Sequence, residues 1–299
     1  VSSSDQWAEA KDGMDRSKPH LQSGLYVTAT PIGNAGDITL RALEVLRHVA
    51  VVAAEDTRVT GNLLAMHGIK AKLLSYREAN ASRATPAILD RLQRGEAVAL
   101  VTDAGTPHIS DPGAALVRAV HEAGFPVVAV PGPSALTAAL SISGIAADRT
   151  LFAGFLPSGR GERRAALAEI KGINGALVFF EAPHRIVEAL ADMADVLGSR
   201  SAALCREITK LHEEVRRGTL HSLASAATAE ANLRRGEFVV VVGPPEAGID
   251  DPSADDLDSA LAKALKSMRI KDAADAVAGA LGLPRRLVYA RALELKDDG

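Results

Sequence analysis

Residues 97–107 read AVALVTDAGTP. The apolar run Ala97–Thr102 describes a strand, and Asp103, Gly105 and Pro107 describe an abrupt polar turn at its end. Successive strand residues point to opposite faces, so a strand that is apolar at every position is buried on both. Helices must then cover both sides of its sheet. The flanking sequence supplies them in alternation. Leu25–Ala29, Val49–Ala54, Lys72–Ser75 and Val127–Val130 read as further strands. Between them, Thr39–His48 reads as a helix with Leu40, Leu43, Val45 and Leu46 on its apolar side. Asp56–His67 holds a loop and a short helix, and Pro86–Arg94 and Gly113–Glu122 read as helices. This alternation predicts a mostly parallel sheet.

A second alternation begins near Thr150. Leu151–Phe155, Ala176–Glu181, Ala202–Arg206, Glu214–Leu220 and Phe238–Val242 read as strands, with helices at Glu162–Ile170 and His184–Leu197. After Gly243, Pro244-Pro245, Gly248 and a run of aspartates mark a linker. Three helices follow, Leu257–Met268, Lys271–Leu281 and Arg285–Leu295, the last two divided by Gly282-Leu283-Pro284. The expected organisation is a disordered tail over 1–23, α/β domains over 24–145 and 146–243, an acidic linker over 244–256 and a helical domain over 257–299.

Composition bounds the function. A length of 299 residues suits two domains of roughly 150 residues each. Lys and Arg number 34 against 37 Asp and Glu, a net charge of −3, which argues against a surface that holds any nucleic acid by diffuse positive charge. Aromatic residues are 3% of the chain, too few for a base-stacking platform. No apolar run reaches the ~18 residues of a membrane span, and the first residues lack the apolar stretch of a secretory signal. The expectation is a soluble, cytoplasmic protein with no membrane partner. A single cysteine, Cys205, forms neither an internal disulfide nor a Cys-based zinc site, so no metal is expected.

Three loops at strand ends carry the chemistry. In Thr30-Pro31-Ile32-Gly33-Asn34-Ala35-Gly36-Asp37, Gly33 and Gly36 allow close backbone approach, and Asp37 or Thr39 can cap the next helix. In Asp103-Ala104-Gly105-Thr106-Pro107 and the following Ile109–Gly113, Asp103 can accept hydrogen bonds from an amine or a ribose hydroxyl; equally, Asp103 and Asp111 can merely cap turns. In Val130-Pro131-Gly132-Pro133-Ser134-Ala135, Gly132 takes the special dihedral, and Ser134 either caps a helix or offers its hydroxyl to a ligand. Three such loops converge on one edge of a parallel sheet, where open α/β sheets bind ligands. There is no G-x-G-x-x-G, Walker A, H-E-x-x-H or G-x-S-x-G motif.

These motifs carry a resemblance. Leu25–Gly243 resembles the tetrapyrrole methylase-like superfamily of S-adenosylmethionine-dependent methyltransferases. Within it, Pro31–Asn34, Ala54–Arg58, Asp103–Pro107, Pro131–Ala135, Gly154–Pro157, Phe180–Arg185 and Arg206–Lys210 resemble the ribosomal RNA small subunit methyltransferase I family. The resemblance implies two α/β domains with the cofactor in the cleft between them. It implies a homodimer, and 2′-O-methylation of a cytidine of small-subunit (16S) rRNA near the decoding centre, on free rRNA or the 30S subunit. Carried over residue by residue, the cofactor positions are Pro31, Gly33, Asp103, Ala104, Gly105, Thr106, Pro107, Ile109, Ser134, Ala135 and Phe180. His108 stands where the family often has an apolar residue.

A 2′-hydroxyl is a poor nucleophile, so a nearby acceptor would help, and Glu181 and Asp56 are the candidates. Glu181 can instead serve to hold Arg185 four residues on. Arg58, Arg77, Asn80, His184, Arg185, Arg206 and Lys210 would line the RNA side, and Arg160, Arg163 and Arg164 form a basic loop suited to phosphate, or simply a solvated helix start. The final two helices resemble a helix-turn-helix. From Leu261 to Lys296 there are eight Lys or Arg against three acids, an excess that suits RNA docking, while capping of a dimer is the competing reading. Two other functions fit the same sequence: methylation of a small tetrapyrrole-like metabolite, and a non-catalytic rRNA-binding assembly factor.

Overall fold

The computed structural model describes residues 21–109, 113–230, 235–245, 254–266, 268–281 and 283–297. The tail over 1–20, most of the acidic stretch and Gly282 lie outside them. The chain divides into two compact units at Pro244.

The first unit holds two five-stranded sheets. One is formed by β1 (Gly24–Thr28), β2 (Val51–Ala54), β3 (Leu73–Ser75), β4 (Ala97–Val101) and β5 (Val127–Val130), in the order β3-β2-β4-β1-β5 with every pairing parallel. The two faces of its strands feed separate cores. Tyr26, Val52, Ala54, Ala99 and Val101 pack with α1 (Leu40–His48) and α2 (Thr57–Met66). Leu25, Val51, Ala53, Val98 and Leu100 pack with α3 (Ala81–Gln93) and α4 (Ala114–Glu122). That two-sided burial is why these strands read as continuous apolar runs.

The second sheet is mixed. It is built from β6 (Thr150–Phe155), β7 (Ala176–Glu181), β8 (Ser201–Arg206), β9 (Glu214–Thr219) and β10 (Phe238–Val242), in the order β6-β7-β10-β8-β9. β6 and β7 are parallel; β10 runs antiparallel to both β7 and β8, and β9 antiparallel to β8. One face packs α6 (Arg160–Ile170), α7 (Ile186–Leu197) and α8 (Leu220–Ala229) around Leu177, Phe179, Leu204 and Val240. The other face, Val178, Ala203, Cys205, Val239 and Val241, is covered by α5 (Ala135–Ser143) through Leu136, Ala139 and Leu140. The helix that follows the last strand of the first sheet therefore belongs to the core of the second. Burial pushes the Cys205 thiol up to about 11.

Two helices of the first unit differ most from the sequence reading, and in the second unit the helix read as Leu257–Met268 runs Ala254–Leu265. α3 begins at Ala81, ahead of Pro86, which was expected to open it. Lacking an N–H, Pro86 leaves the Ser82 carbonyl without its helical donor. α8 was not expected at all; Thr219 caps it, its side chain accepting from the Ser222 N–H while Ser222 Oγ bonds back to the Thr219 N–H.

The second unit is a three-helix bundle of α9 (Ala254–Leu265), α10 (Ile270–Leu281) and α11 (Arg285–Asp297). Its core is Leu257, Leu261, Ala274, Val277, Val288 and Ala292. No helix among the described residues is long and apolar enough to cross a membrane.

Candidate active site

Because β4, β1 and β5 are parallel neighbours, their C-terminal ends lie side by side and the three loops of interest share one edge. Hydrogen bonds join them. Thr30 and Gly105 exchange backbone bonds of 2.9 and 3.0 Å, Thr30 Oγ1 donates to Thr102 O at 3.1 Å, and Thr106 Oγ1 donates to Pro133 O at 3.1 Å. Gly105 has φ 81, and a Cβ there would come 3.3 Å from Ile32 Cγ2. Gly132 does not take the left-handed dihedral expected of it. It is needed for closeness: a Cβ would approach Ala29 Cβ to 3.0 Å. Between Asp37 and Thr39 the cap is Thr39, whose hydroxyl accepts from Ala42 N–H, while Ser134 heads α5 with its side chain uncommitted to capping; Asp111 lies outside the described residues.

The second sheet brings its own edge to the same place. β6, β7 and β8 end there and the antiparallel β10 begins there. A cleft of about 340 Å³ opens between the two edges, within the range of small-molecule sites. From the first sheet it is lined by Ile32, Ala104, Gly105, Thr106, Ile109, Ser134 and Ala135. Phe155, Phe180, Glu181, Ala182, Pro183, Ile208, Glu237, Phe238 and Val239 complete it. Phe180 meets Phe152 and Phe155 edge-on, at 4.9 and 5.8 Å between ring centres, and Phe155 is 54% exposed.

Glu181 is the one acid buried in this lining, at 2% exposure. Its Oε1 accepts from the Ala182 N–H at 2.9 Å and lies 3.2 Å from Arg185 Nε, while Oε2 is buried without a hydrogen-bond partner. Burial pushes this carboxyl above its ordinary value, outweighing the Ala182 N–H and the Arg185 charge, which act the other way. Both readings of Glu181 are thus realised together: it pairs with Arg185 and still presents an unmatched oxygen.

Asp56 is a different carboxylate. It caps α2, accepting from the Arg58 N–H at 2.8 Å, and it pairs with the Arg58 and Arg77 side chains at 2.6 and 3.5 Å. The Arg58 guanidinium, first among these, holds it far below the usual carboxylate range. A carboxylate so held is a poor base, and Asp56 is set aside in that role. Asp103 Oδ1 accepts from the Asp56 N–H at 2.9 Å, a bond to the loop after β2 rather than a cap of its own turn; it does not line the cleft, and neither do Pro31, Gly33 or Pro107. Gly33 instead lies against the second sheet's loop, where a Cβ would come 2.5 Å from Lys210 Cγ.

The expected RNA contacts divide sharply. Arg163 is 1% exposed, donating to Asp192 at 2.8 Å and to Ser158 O at 3.1 Å. It joins α6 to α7 and cannot reach phosphate. Arg160 and Arg164 reach the same Asp192 from the surface, at 3.2 and 3.3 Å. Burial opposes charge on Asp192, but these arginines outweigh it and hold the carboxyl below its ordinary value. Arg185 donates to Leu156 O and Pro157 O, Arg206 pairs with Glu214, and Lys210 with Glu207 and Glu237. Asn80 is a local brace, bonded to Arg77 N–H and Ser75 O. Arg58, Arg77 and His184 are exposed.

This architecture, two sheets meeting edge to edge over a cleft without a dinucleotide glycine motif, agrees with the comparisons. The family described as Tetrapyrrole (Corrin/Porphyrin) Methylases matches residues 24–224, and the family described as RsmI C-terminal HTH domain matches 251–296. A Mesorhizobium japonicum protein named ribosomal RNA small subunit methyltransferase I is 47% identical, covering 93% of this chain and 94% of its own length. The chain belongs to this methyltransferase family. Another family relative, from Micromonospora olivasterospora and of the same name, is 46% identical, covering 93% of this chain and 89% of its own. The fold is shared with the structure of uroporphyrin-III C-methyl transferase from Thermus thermophilus complexed with S-adenyl homocysteine (TM-score 0.53, 20% identity, 74% of this chain and 97% of that one).

Proposed function

We propose that this chain transfers the methyl group of S-adenosylmethionine to the ribose 2′-oxygen of a cytidine in small-subunit ribosomal RNA, near the decoding centre. The observation that carries the reading is Glu181, a buried carboxylate with an unpartnered oxygen in the wall of a cleft whose facing wall is the Gly105–Thr106 backbone. The cleft's donor set suits the methyl donor: apolar Ile32, Ile109, Phe180 and Val239 for the purine and thioether parts, and the Ser134 hydroxyl for a polar group.

When bound, S-adenosylmethionine supplies a methyl carbon already activated by its positive sulfur. What the protein contributes is alignment and proton removal. The three joined loops hold one wall rigid, and Phe155 and Phe180 keep water from the reacting edge. With the donor bound, Glu181 would be the group in the cleft wall to accept the proton that a 2′-hydroxyl loses on methylation, its raised pKa suiting it to hold that proton. Arg58 and Arg77, whose side chains stay 85% and 54% exposed beside Asp56, and exposed His184 face the RNA backbone in this reading. We read the enzyme as a cytoplasmic homodimer, with exposed Leu40, Val59 and Met66 supplying apolar surface for a second copy.

The test is to incubate the protein with labelled S-adenosylmethionine and either small subunits or naked rRNA, then map modified riboses. Label at one cytidine 2′-oxygen is expected. Transfer to a metabolite extract with none to either RNA would overturn the reading.

A further inference from the structure

The charges of the second unit are unevenly matched. Arg291 donates to both oxygens of Asp258, at 2.8 and 2.6 Å, and also pairs with Glu294, while Arg285 is held by Asp275. Two of the three arginines of α11 are thereby consumed, and beside the remaining Arg286 this helix exposes apolar Leu287, Tyr289 and Leu293. At the other end of the bundle Lys263, Lys266, Arg269 and Lys271 are all exposed, with no ion pair among the described residues. Lys266, Arg269 and Lys271 rim one groove between α9 and α10, over an apolar floor of Leu265, Ile270 and Leu295.

In the DNA-binding use of a helix-turn-helix, the second helix enters the major groove. Here that helix is α11, which offers a single unpaired arginine among the described residues. The major groove of an RNA duplex is moreover too deep and narrow for side chains to read, so RNA is met through its phosphates and shape. Unpaired cations carry that kind of recognition, and here they stand at the α9–α10 junction. We propose that the groove rimmed by Lys266, Arg269 and Lys271, extended by Lys263 one turn earlier, docks the phosphate backbone of the RNA substrate, and that α11 is not the recognition helix. This deepens the rRNA reading above and rests on it for the identity of the partner.

The experiment uses the full chain and transcribed small-subunit rRNA, with binding followed over a range of salt concentrations. Lys266→Ala/Arg269→Ala/Lys271→Ala together should weaken binding at least tenfold. The log–log salt slope should flatten by about 2, because each phosphate that a cation neutralises on a single strand adds ~0.7 to it. The charge-conserving set Lys266→Arg/Arg269→Lys/Lys271→Arg should keep the slope, as should Arg286→Ala/Tyr289→Ala. An unchanged slope in the alanine triple, or weakened binding in the Arg286/Tyr289 pair instead, overturns the proposal. So does a triple variant that binds naked rRNA normally but fails to bind assembled subunits, which would mark an acidic protein partner. Methyl transfer by the wild-type chain is measured alongside: its absence with an intact slope effect would sink the enzymatic reading and leave this docking surface standing.

Discussion

The backbone N–H of Asn34 donates to the hydroxyl of Thr209 at 3.2 Å, joining the first loop of one sheet to the loop after β8 in the other. Thr209 has φ 66, a left-handed conformation that a β-branched residue rarely adopts, and its own N–H is held by Glu213 Oε2 at 2.6 Å. Its neighbour Ile208 lines the cleft. Strain of this kind persists only where the surrounding structure enforces it. Thr209→Val keeps the branching and removes the acceptor, so it should destabilise the protein by about 1 kcal/mol and weaken donor binding. Thr209→Asn, which tolerates the left-handed region and retains an acceptor, should recover most of both. Urea unfolding and calorimetry check the pair.

Glu181→Gln should lower methyl transfer by roughly 10²–10⁴-fold with little change in donor affinity. In the wild type, activity should rise with pH through a step above the ordinary glutamate range, because the Glu181 pKa is raised. The stability effect has the matching sign. A raised native pKa gives stability that is present below the unfolded value and lost as pH rises through the native one. Glu181→Gln should therefore raise Tm relative to wild type at pH 8 and lose that advantage in acid. A flat pH–rate profile in wild type would remove Glu181 as the base.

Arg163→Ala and Asp192→Ala should each destabilise by about 3–5 kcal/mol, since each leaves a buried charge without its partner. RNA affinity in folded Arg163→Ala should equal that of wild type. The Asp192 pKa is depressed, so this stability is present above the unfolded aspartate value near pH 4 and fades as pH falls below it. Thermal melts across pH 3–7 measure it.

Gly105→Ala should weaken donor binding at least tenfold while the protein still folds. The new methyl has to occupy a φ of 81 and press on Ile32, which lines the cleft. Isothermal titration with S-adenosylmethionine is the measurement, and unchanged affinity would place the donor elsewhere.

Much of the first sheet could be read from residues alone, because burial on both faces writes itself as runs such as Ala97–Val101. The convergence of its three loops followed from parallel strands. The far wall of the cleft was harder. Ile208, Glu237, Phe238 and Val239 reach it only because β10 inserts antiparallel between β7 and β8, and chain order gives no sign of that insertion. Arg163 was misplaced because its sequence neighbours are surface cations; only the position of Asp192 on α7, one helix later, shows where it turns. Pro86 has the look of a helix start, and α8 hides in a run of Ala, Ser and Thr whose small side chains blur the apolar stripe. Phe180 was among the positions the resemblance implied, while Phe155 had a fainter signal, a phenylalanine at a strand end followed by a Pro- and Gly-bearing loop.

The central place of β10 also sets an order on synthesis. Every strand of the first sheet has left the ribosome by Val130, so that half can fold early. β7 and β8, by contrast, do not touch as sheet neighbours; each waits for Phe238–Val242 to fill the gap between them. A nascent chain paused at residue 230 would hold a finished parallel sheet beside a split one, with two apolar strand edges open and Glu237, Phe238 and Val239 missing from the cleft wall. The cleft is therefore completed late and in one step, when a single strand of five residues closes the second sheet.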